Sequence, residues 1–267
     1  MKKIISLFAL ASALVLTSCA PSANFVFATD ATWPPMEFVN DNKELVGFDI
    51  DMVKAIAKAA GFEVGFEVVS WDGIFAGLDG RQYNAIVSSV TINEERQASY
   101  DFSSSYLNAG QIMVVPIAST GITTLNDLVG RTVGAQIGTA GAFAVQSVAG
   151  INLKEYSEVG LAFNDMVNGN LEAVVCDTPV AADFALGNKA FAGKLKIVGE
   201  ALTEENFGMV FRKVNLTEYT ETVEAKKSEQ QKHDEKTLEL KALVEKGLAA
   251  IKADGTLEKL KAKWGLK

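Results

Sequence analysis

Ser88-Ser89-Val90-Thr91-Ile92-Asn93-Glu94-Glu95-Arg96 follows a short apolar run, Ala85-Ile86-Val87, closes it with hydroxyl side chains and then delivers an arginine. The apolar run has the length of a core strand, and the hydroxyls fall where such a strand emerges at the edge of a sheet. In open α/β sheets, ligands sit at that carboxyl edge. Arg96 carries a planar fork of donors that matches the two oxygens of a carboxylate, and a nearby hydroxyl or main-chain N–H completes the grip. Taken alone, the stretch has two readings: a carboxylate receptor, or a surface turn with a solvated arginine.

Upstream, Asn24 to Thr29 alternates as a first strand, and Asp30-Ala31-Thr32-Trp33-Pro34-Pro35 breaks it. The two prolines stiffen the loop, so Trp33 is either presented to a ligand or held as a partly buried lid on the first domain. Ile50, Val53, Ile56, Ala57 and Ala60 recur at helical spacing, with Asp49 placed to cap and Gly61 to terminate. A cap and a first-turn carboxylate explain Asp49 and Asp51 without a metal ion. Glu63 to Val69 reads as the second strand, and Ser70-Trp71-Asp72-Gly73 puts a second tryptophan in a strand-to-helix loop.

Downstream, Gln111 to Pro116 reads as a strand leaving the first domain, Leu125 to Leu128 as a short helix and Thr132 to Ala135 as a strand. Gly138-Thr139-Ala140-Gly141 then opens a helix running to about Gly150, and its free N–H groups favour an anion. Neither a P-loop nor a dinucleotide fingerprint is present. Leu161 to Val167 reads as a helix and Ala173 to Val175 as a strand ending at Cys176-Asp177-Thr178-Pro179. Asp177 there caps the next helix or receives an ammonium group. Lys196 to Val198 and Phe207 to Phe211 read as two more strands. From Val214 to Lys236 the chain turns polar with almost no apolar spacing, which predicts an exposed extension that makes few tertiary contacts. His233, the one histidine, lies there, which argues against a histidine-based catalytic or metal site. Leu240, Leu243, Val244, Leu248 and Ile251 restore an apolar helical face, and a last helix ends near Trp264.

The chain opens with Lys2-Lys3, an apolar run from Ile4 to Leu16 and Leu16-Thr17-Ser18-Cys19, the layout of a secretory signal peptide over residues 1–18. The last four residues resemble the bacterial lipobox, whose cysteine is lipidated, and this predicts a lipid anchor at Cys19 on a bacterial membrane. Processing leaves Cys176 as a single thiol, so no disulfide framework exists even in an oxidising compartment. The formal charge of −8 loses Lys2 and Lys3 and becomes about −10, which argues against nucleic acid as a partner.

With these residues assembled, the chain resembles the bacterial extracellular solute-binding proteins of polar amino-acid ABC transporters, among them the histidine-, lysine/arginine/ornithine- and glutamine-binding proteins. The resemblance covers nearly all of residues 24–267. It rests on Ala28-Thr29-Asp30, Gly47-Phe48-Asp49-Ile50-Asp51, the Thr91 to Arg96 run, Asp101-Phe102-Ser103, Gly138-Thr139, Cys176-Asp177-Thr178-Pro179 and Ala253-Asp254-Gly255-Thr256. It implies an α/β fold of the type II periplasmic-binding kind, two lobes joined by a two-segment hinge. Lobe 1 would hold residues 24–106 and 207–267, with the polar extension at about 214–236, and lobe 2 residues 110–202. It implies, further, that Arg96 clamps the α-carboxylate of a free amino acid, helped by main-chain or side-chain groups at Thr91 and Thr139. Asp177 would receive the α-ammonium with Ser89 assisting, Trp33 and Trp71 would flank the side chain, and Asp30 with Ser88 would meet its polar end.

Two tryptophans and Asp30 tilt the expectation towards arginine or lysine. Against it, Gln136 and Cys176 stand where glutamine-binding relatives carry lysine and histidine, and Gly141 stands where basic-amino-acid binders tend to carry glutamine. Gln136 thus joins the expected ligand-binding residues, and glutamine or another neutral polar amino acid is the alternative ligand. The expected partner is a membrane permease that recognises the closed form, with the receptor itself a monomer that needs no cofactor and no metal. Competing functions are a cyclohexadienyl dehydratase-like enzyme on the same scaffold and a sensory or adhesive lipoprotein.

Overall fold

The structure, a computed structural model, describes residues 24–219 and 228–266, so the leader and Cys19 lie outside the described residues. The first lobe begins with β1 (Asn24–Thr29), in which Phe25 and Phe27 are fully buried. A small antiparallel meander follows: β2 (Thr32–Trp33), β3 (Glu37–Val39) and β4 (Leu45–Val46). Gly47, at φ +137°, lets the chain pass so close to β3 that a Cβ there would sit 2.1 Å from the Met36 carbonyl. Helix α1 (Phe48–Ala60) buries Phe48, Ile50, Met52, Val53, Ile56 and Ala57, four of the five residues expected at helical spacing among them, while Ala60 is half-buried. Strand β5 (Glu63–Val68), helix α2 (Trp71–Asp79), strand β6 (Ala85–Ile86), helix α3 (Glu94–Ser99) and strand β7 (Tyr100–Phe102) complete the outward path.

The chain then crosses on β8 (Leu107–Ala109) into β9 (Gln111–Pro116), the first strand of the second sheet. Strand β10 (Thr132–Gln136), helix α4 (Ala140–Gln146), strand β11 (Asn152–Tyr156), helix α5 (Val159–Val167), strand β12 (Ala173–Asp177), helix α6 (Thr178–Ala182) and strand β13 (Leu195–Val198) follow in turn. Strand β14 (Glu205–Phe207) pairs antiparallel with β8, so the outgoing and returning segments run side by side between the lobes. Strand β15 (Val210–Arg212) returns to the first sheet. The strand orders are β5-β1-β6-β15-β7 and β11-β10-β12-β9-β13, each with a parallel half and an antiparallel edge. In both sheets the parallel strands deliver side chains expected to bind ligand at their carboxyl ends: Asp30 after β1, Ser88 after β6, Gln136 from β10 and Asp177 from β12. That is where open α/β sheets bind ligands.

Three local expectations are corrected. The helix after Thr139 ends at Gln146, short of Gly150. The expected strand Phe207–Phe211 is two strands, because the chain leaves the hinge at Phe207 and joins the first sheet only at Val210. Asp49 is not the cap of α1: Gly47 stands at that position, and Asp49 is turned inward, fully buried.

The polar run also differs from expectation where it is described. Helix α7 (Glu229–Ala253) begins inside it and lies along α1, with Gly247 at the approach, where a Cβ would sit 2.5 Å from the Ile56 carbonyl. Asp234 is buried and accepts hydrogen bonds from Arg81 Nε (2.9 Å) and Nη2 (3.1 Å), from Arg212 and from Tyr219. The sequence has no apolar spacing here because the buried contact is ionic. Asp234→Ala would leave two arginines facing each other, and is expected to cost about 3 kcal/mol of stability in denaturant unfolding. An unchanged midpoint would show the cluster to be solvated surface. Helix α8 (Thr256–Lys263) closes the chain against α1, where Lys263 and Trp264 bond Asp51.

Candidate functional site

A cavity lies between the lobes, and every residue expected to bind ligand lines it: Asp30, Trp33, Trp71, Ser88, Ser89, Thr91, Arg96, Gln136, Thr139 and Asp177. Glu37 and Ala140 line it as well. Hydrogen bonds across the cleft hold the lobes together, from Gln136 Nε2 to Asp30 Oδ2 (2.8 Å), from Trp33 Nε1 to Asp177 Oδ2 (2.9 Å) and from Arg96 Nη2 to the Gly138 carbonyl (3.3 Å).

Arg96 is placed by its helix. Asn93 caps α3 by accepting the Arg96 N–H at 2.8 Å, and the guanidinium then turns back to donate from Nη1 to the Thr91 carbonyl at 3.0 Å. Its Cζ lies 5.5 Å from the ring centre of Trp71 and 5.6 Å from that of Phe75. Burial pulls the Arg96 pKa down, while Asp177, Glu205 and Glu95 oppose that. A guanidinium so held is rigid and remains charged, with donors left over for a carboxylate. Trp71 therefore supports the protein's own arginine, a contact the sequence gives no sign of.

The hydroxyls of Thr91 and Thr139 are committed elsewhere. Thr91 Oγ1 donates to Glu205 Oε2 at 2.7 Å, and Thr139 Oγ1 donates to the Gln136 carbonyl (2.7 Å) while capping α4 through Ala142 N–H (3.3 Å). Each hydroxyl hydrogen is thus directed to a protein acceptor in this structure.

Asp177 stands at the N-terminus of α6 but makes no side-chain cap bond. Its carboxylate turns into the cleft instead, accepting from Gln111 Nε2 (2.6 Å) and Trp33 Nε1 (2.9 Å). Burial, and next the charge of Glu205, raise its pKa to about 7. Such a carboxyl, buried beside a second acidic side chain, is the complement of an ammonium group. Gln111 and Glu205 were not foreseen, since both fall in strands whose pattern is apolar or polar without motif. Gln111 accounts for Gly141: a Cβ at 141 would lie 2.9 Å from Gln111 Oε1 and 2.8 Å from the Val175 carbonyl. Cys176, next to Asp177, is buried in the core and is not among the cavity's lining residues.

At the opposite side, Asp30, Ser88, Glu37 and Gln136 form one connected group. Asp30 N–H donates to Ser88 Oγ (3.0 Å), whose own hydrogen goes to Glu37 Oε1 (2.9 Å). Asp30 Oδ1 accepts from Thr32 (3.0 Å). Gln136 Nε2 gives its hydrogens to Asp30 and to the Ser157 carbonyl (2.9 Å). Glu37 was missed because it sits between Met36 and Phe38 in what reads as an apolar edge. Among the described residues no group of His, Cys, Asp and Glu is placed to hold a metal ion, and no helix is long and apolar enough to cross a membrane.

Residues 25–267 match the model of bacterial extracellular solute-binding proteins, family 3. The L-cystine-binding protein TcyJ of Escherichia coli K12 is 29% identical over 88% of this chain and 80% of its own length. The ABC transporter arginine-binding protein 1 of the same organism is 29% identical over 99% of both chains. Among solved structures, an ancestral arginine-binding protein bound to arginine is 35% identical with a TM-score of 0.78, covering 90% of this chain and 97% of that one. An ancestral arginine-binding protein bound to glutamine gives a TM-score of 0.77 at 35% identity, covering 90% of this chain and 97% of that one. The likeness thus extends over both sheets and the hinge, and the matched family is one of solute-binding proteins and not of enzymes. From its first strand to its last helix, the chain belongs to the bacterial extracellular solute-binding proteins, family 3.

Proposed function

We propose that this protein is the amino-acid receptor of an ABC importer and that its ligand is a basic amino acid, arginine ahead of lysine. The observation that carries the choice of ligand is the acceptor character of the Asp30 side of the cleft. Ser88 turns its hydrogen to Glu37, Gln136 turns both amide hydrogens to Asp30 and Ser157, and Asp30 is a carboxylate. What remains for a ligand is lone pairs. A guanidinium, which has donors and no acceptor, fits this set, whereas the carbonyl of a glutamine side chain would be buried without a donor. Arg96 takes the α-carboxylate, Asp177 the α-ammonium, and Trp33 and Trp71 flank the side chain. Relatives that bind arginine support the reading, and the cystine-binding relative shows that the same framework accepts other zwitterions.

The test is thermal unfolding of a soluble form beginning at Ala20, unfolded and refolded to strip bound ligand, against each common amino acid and cystine. A ligand at about a thousand times its Kd adds about 4 kcal/mol of stability. The largest shift is expected with arginine and the next with lysine. A larger shift with glutamine or cystine would overturn the choice of ligand. The same reading has the mature chain anchored through a lipidated Cys19 and working as a monomer beside its permease. Cys19→Ser is expected to move the protein from the membrane to the soluble fraction, and unchanged membrane retention would count against the anchor.

A further inference from the structure

On the acceptor side of the cleft lie two carboxyl groups, Glu37, which lines the cavity, and Asp49 behind it. Glu37 on β3 and Asp49 in the first turn of α1 are both completely buried. They flank a single hydroxyl: Ser89 Oγ is 3.4 Å from Glu37 Oε2 and 3.5 Å from Asp49 Oδ2. Ser89 holds a left-handed backbone, φ +48°, which aims its N–H at Asp49 Oδ2 (2.8 Å). Tyr106 donates to the same oxygen at 2.9 Å, and Ser88 to Glu37 Oε1. Asp49 Oδ1, buried, meets no N–H or hydroxyl among the described residues.

The surroundings offer no counter-charge. Asp30 faces the pair from the cleft through Ser88, Tyr106 faces it from the hinge side, and Asp51 on α1 pairs outward with Lys263. No described lysine, arginine or histidine bonds to either carboxyl. Two buried carboxylates without a cation do not both ionise, so the pair holds a proton between them. Burial, reinforced by the charge of Asp49, accordingly holds Glu37 well above the usual carboxylate range.

We propose that the Glu37–Asp49 pair is a proton store that sets the charge of the cleft to match its ligand: it keeps its proton beside a neutral side chain and releases it when a cationic side chain settles over Ser88 and Asp30. The inference rests on the basic-amino-acid reading. In the release, the O–H bond of the Glu37 carboxyl breaks, its electron pair stays on the carboxylate and the proton passes to the buffer. The new negative charge faces the incoming cation across the Ser88 hydroxyl. Glu37 acts through Ser88 and Ser89 and is a positioning residue.

Calorimetric titration at about pH 6, in two buffers of different ionisation enthalpy, counts the protons released on binding. Arginine is compared with citrulline, which has the same length and α-groups but an uncharged end, so any proton lost from Asp177 is common to both. Arginine is expected to release up to one proton more than citrulline, and Glu37→Gln to remove that excess from the arginine count. Equal counts for the two ligands in the unmodified protein, or an unchanged arginine count in the variant, would overturn the proposal while leaving the ligand assignment standing. Absence of arginine binding would remove both.

Discussion

Arg96→Ala is expected to raise the Kd for the cognate amino acid on the order of a thousandfold, with the fold retained. Removing one partner of a buried, hydrogen-bonded charge pair costs about 2 to 5 kcal/mol, because the other charge is left buried without compensation. Arg96 is 9% exposed, packed against the touching Trp71–Phe75 ring pair and tied to the Thr91 and Gly138 carbonyls, so a ligand carboxylate meets a fork that is already oriented. Little ordering remains to be done on binding, which is why the whole charge-assisted contact is lost with the side chain. Arg96→Lys should recover only part of the affinity, since an ammonium cannot reproduce two parallel bonds. Titration calorimetry decides the matter, and wild-type affinity in the alanine variant would show that the carboxylate is held elsewhere.

Asp177→Asn is the second large effect, expected to weaken binding on the order of a hundredfold, because the ammonium then faces a neutral amide beside Glu205. The charge of Asp177 also predicts a pH dependence. Its pKa is raised to about 7, by burial first and by Glu205 next. Below that pH the carboxyl is protonated and the ammonium finds no charge; above it the carboxylate is ready. Affinity is therefore expected to fall as pH falls, by about tenfold between pH 8 and pH 6 for the contribution of this group. The asparagine variant should lose that contribution. Affinity that rises as pH falls in the unmodified protein would contradict the assignment.

The residues that were legible in the sequence share one property: their chemistry sits at the end of a strand or the start of a helix. Asp30, Ser88 and Asp177 each follow an apolar run, Arg96 and Thr139 stand at the heads of short helices, and the structure brings all of them to one cavity. Glu37, Gln111 and Glu205 were illegible because no local pattern distinguishes a polar residue in a short strand facing a cleft from one facing water. Each is defined by partners more than fifty residues away, as in the Ser88–Glu37 and Gln111–Asp177 bonds. Asp49 shows the opposite error. A carboxylate at the head of a helix reads as a cap, yet Gly47 begins the helix and Asp49 turns to the Ser89 N–H, a partner forty positions on. In the same way, the buried Asp234 was hidden in a polar run because its partners, Arg81 and Arg212, come from other parts of the lobe.

The central claim is that the cleft grips a zwitterion by Arg96 and Asp177 and turns an acceptor-only face to its side chain. A crystal structure of the protein with L-arginine tests it most directly. The account predicts the α-carboxylate on the Arg96 guanidinium, the α-ammonium on Asp177 and the guanidinium between Trp33 and Trp71 with its N–H groups on Asp30 and Ser88. An arginine bound in the reverse sense, its guanidinium at Asp177 and its carboxylate away from Arg96, would contradict it.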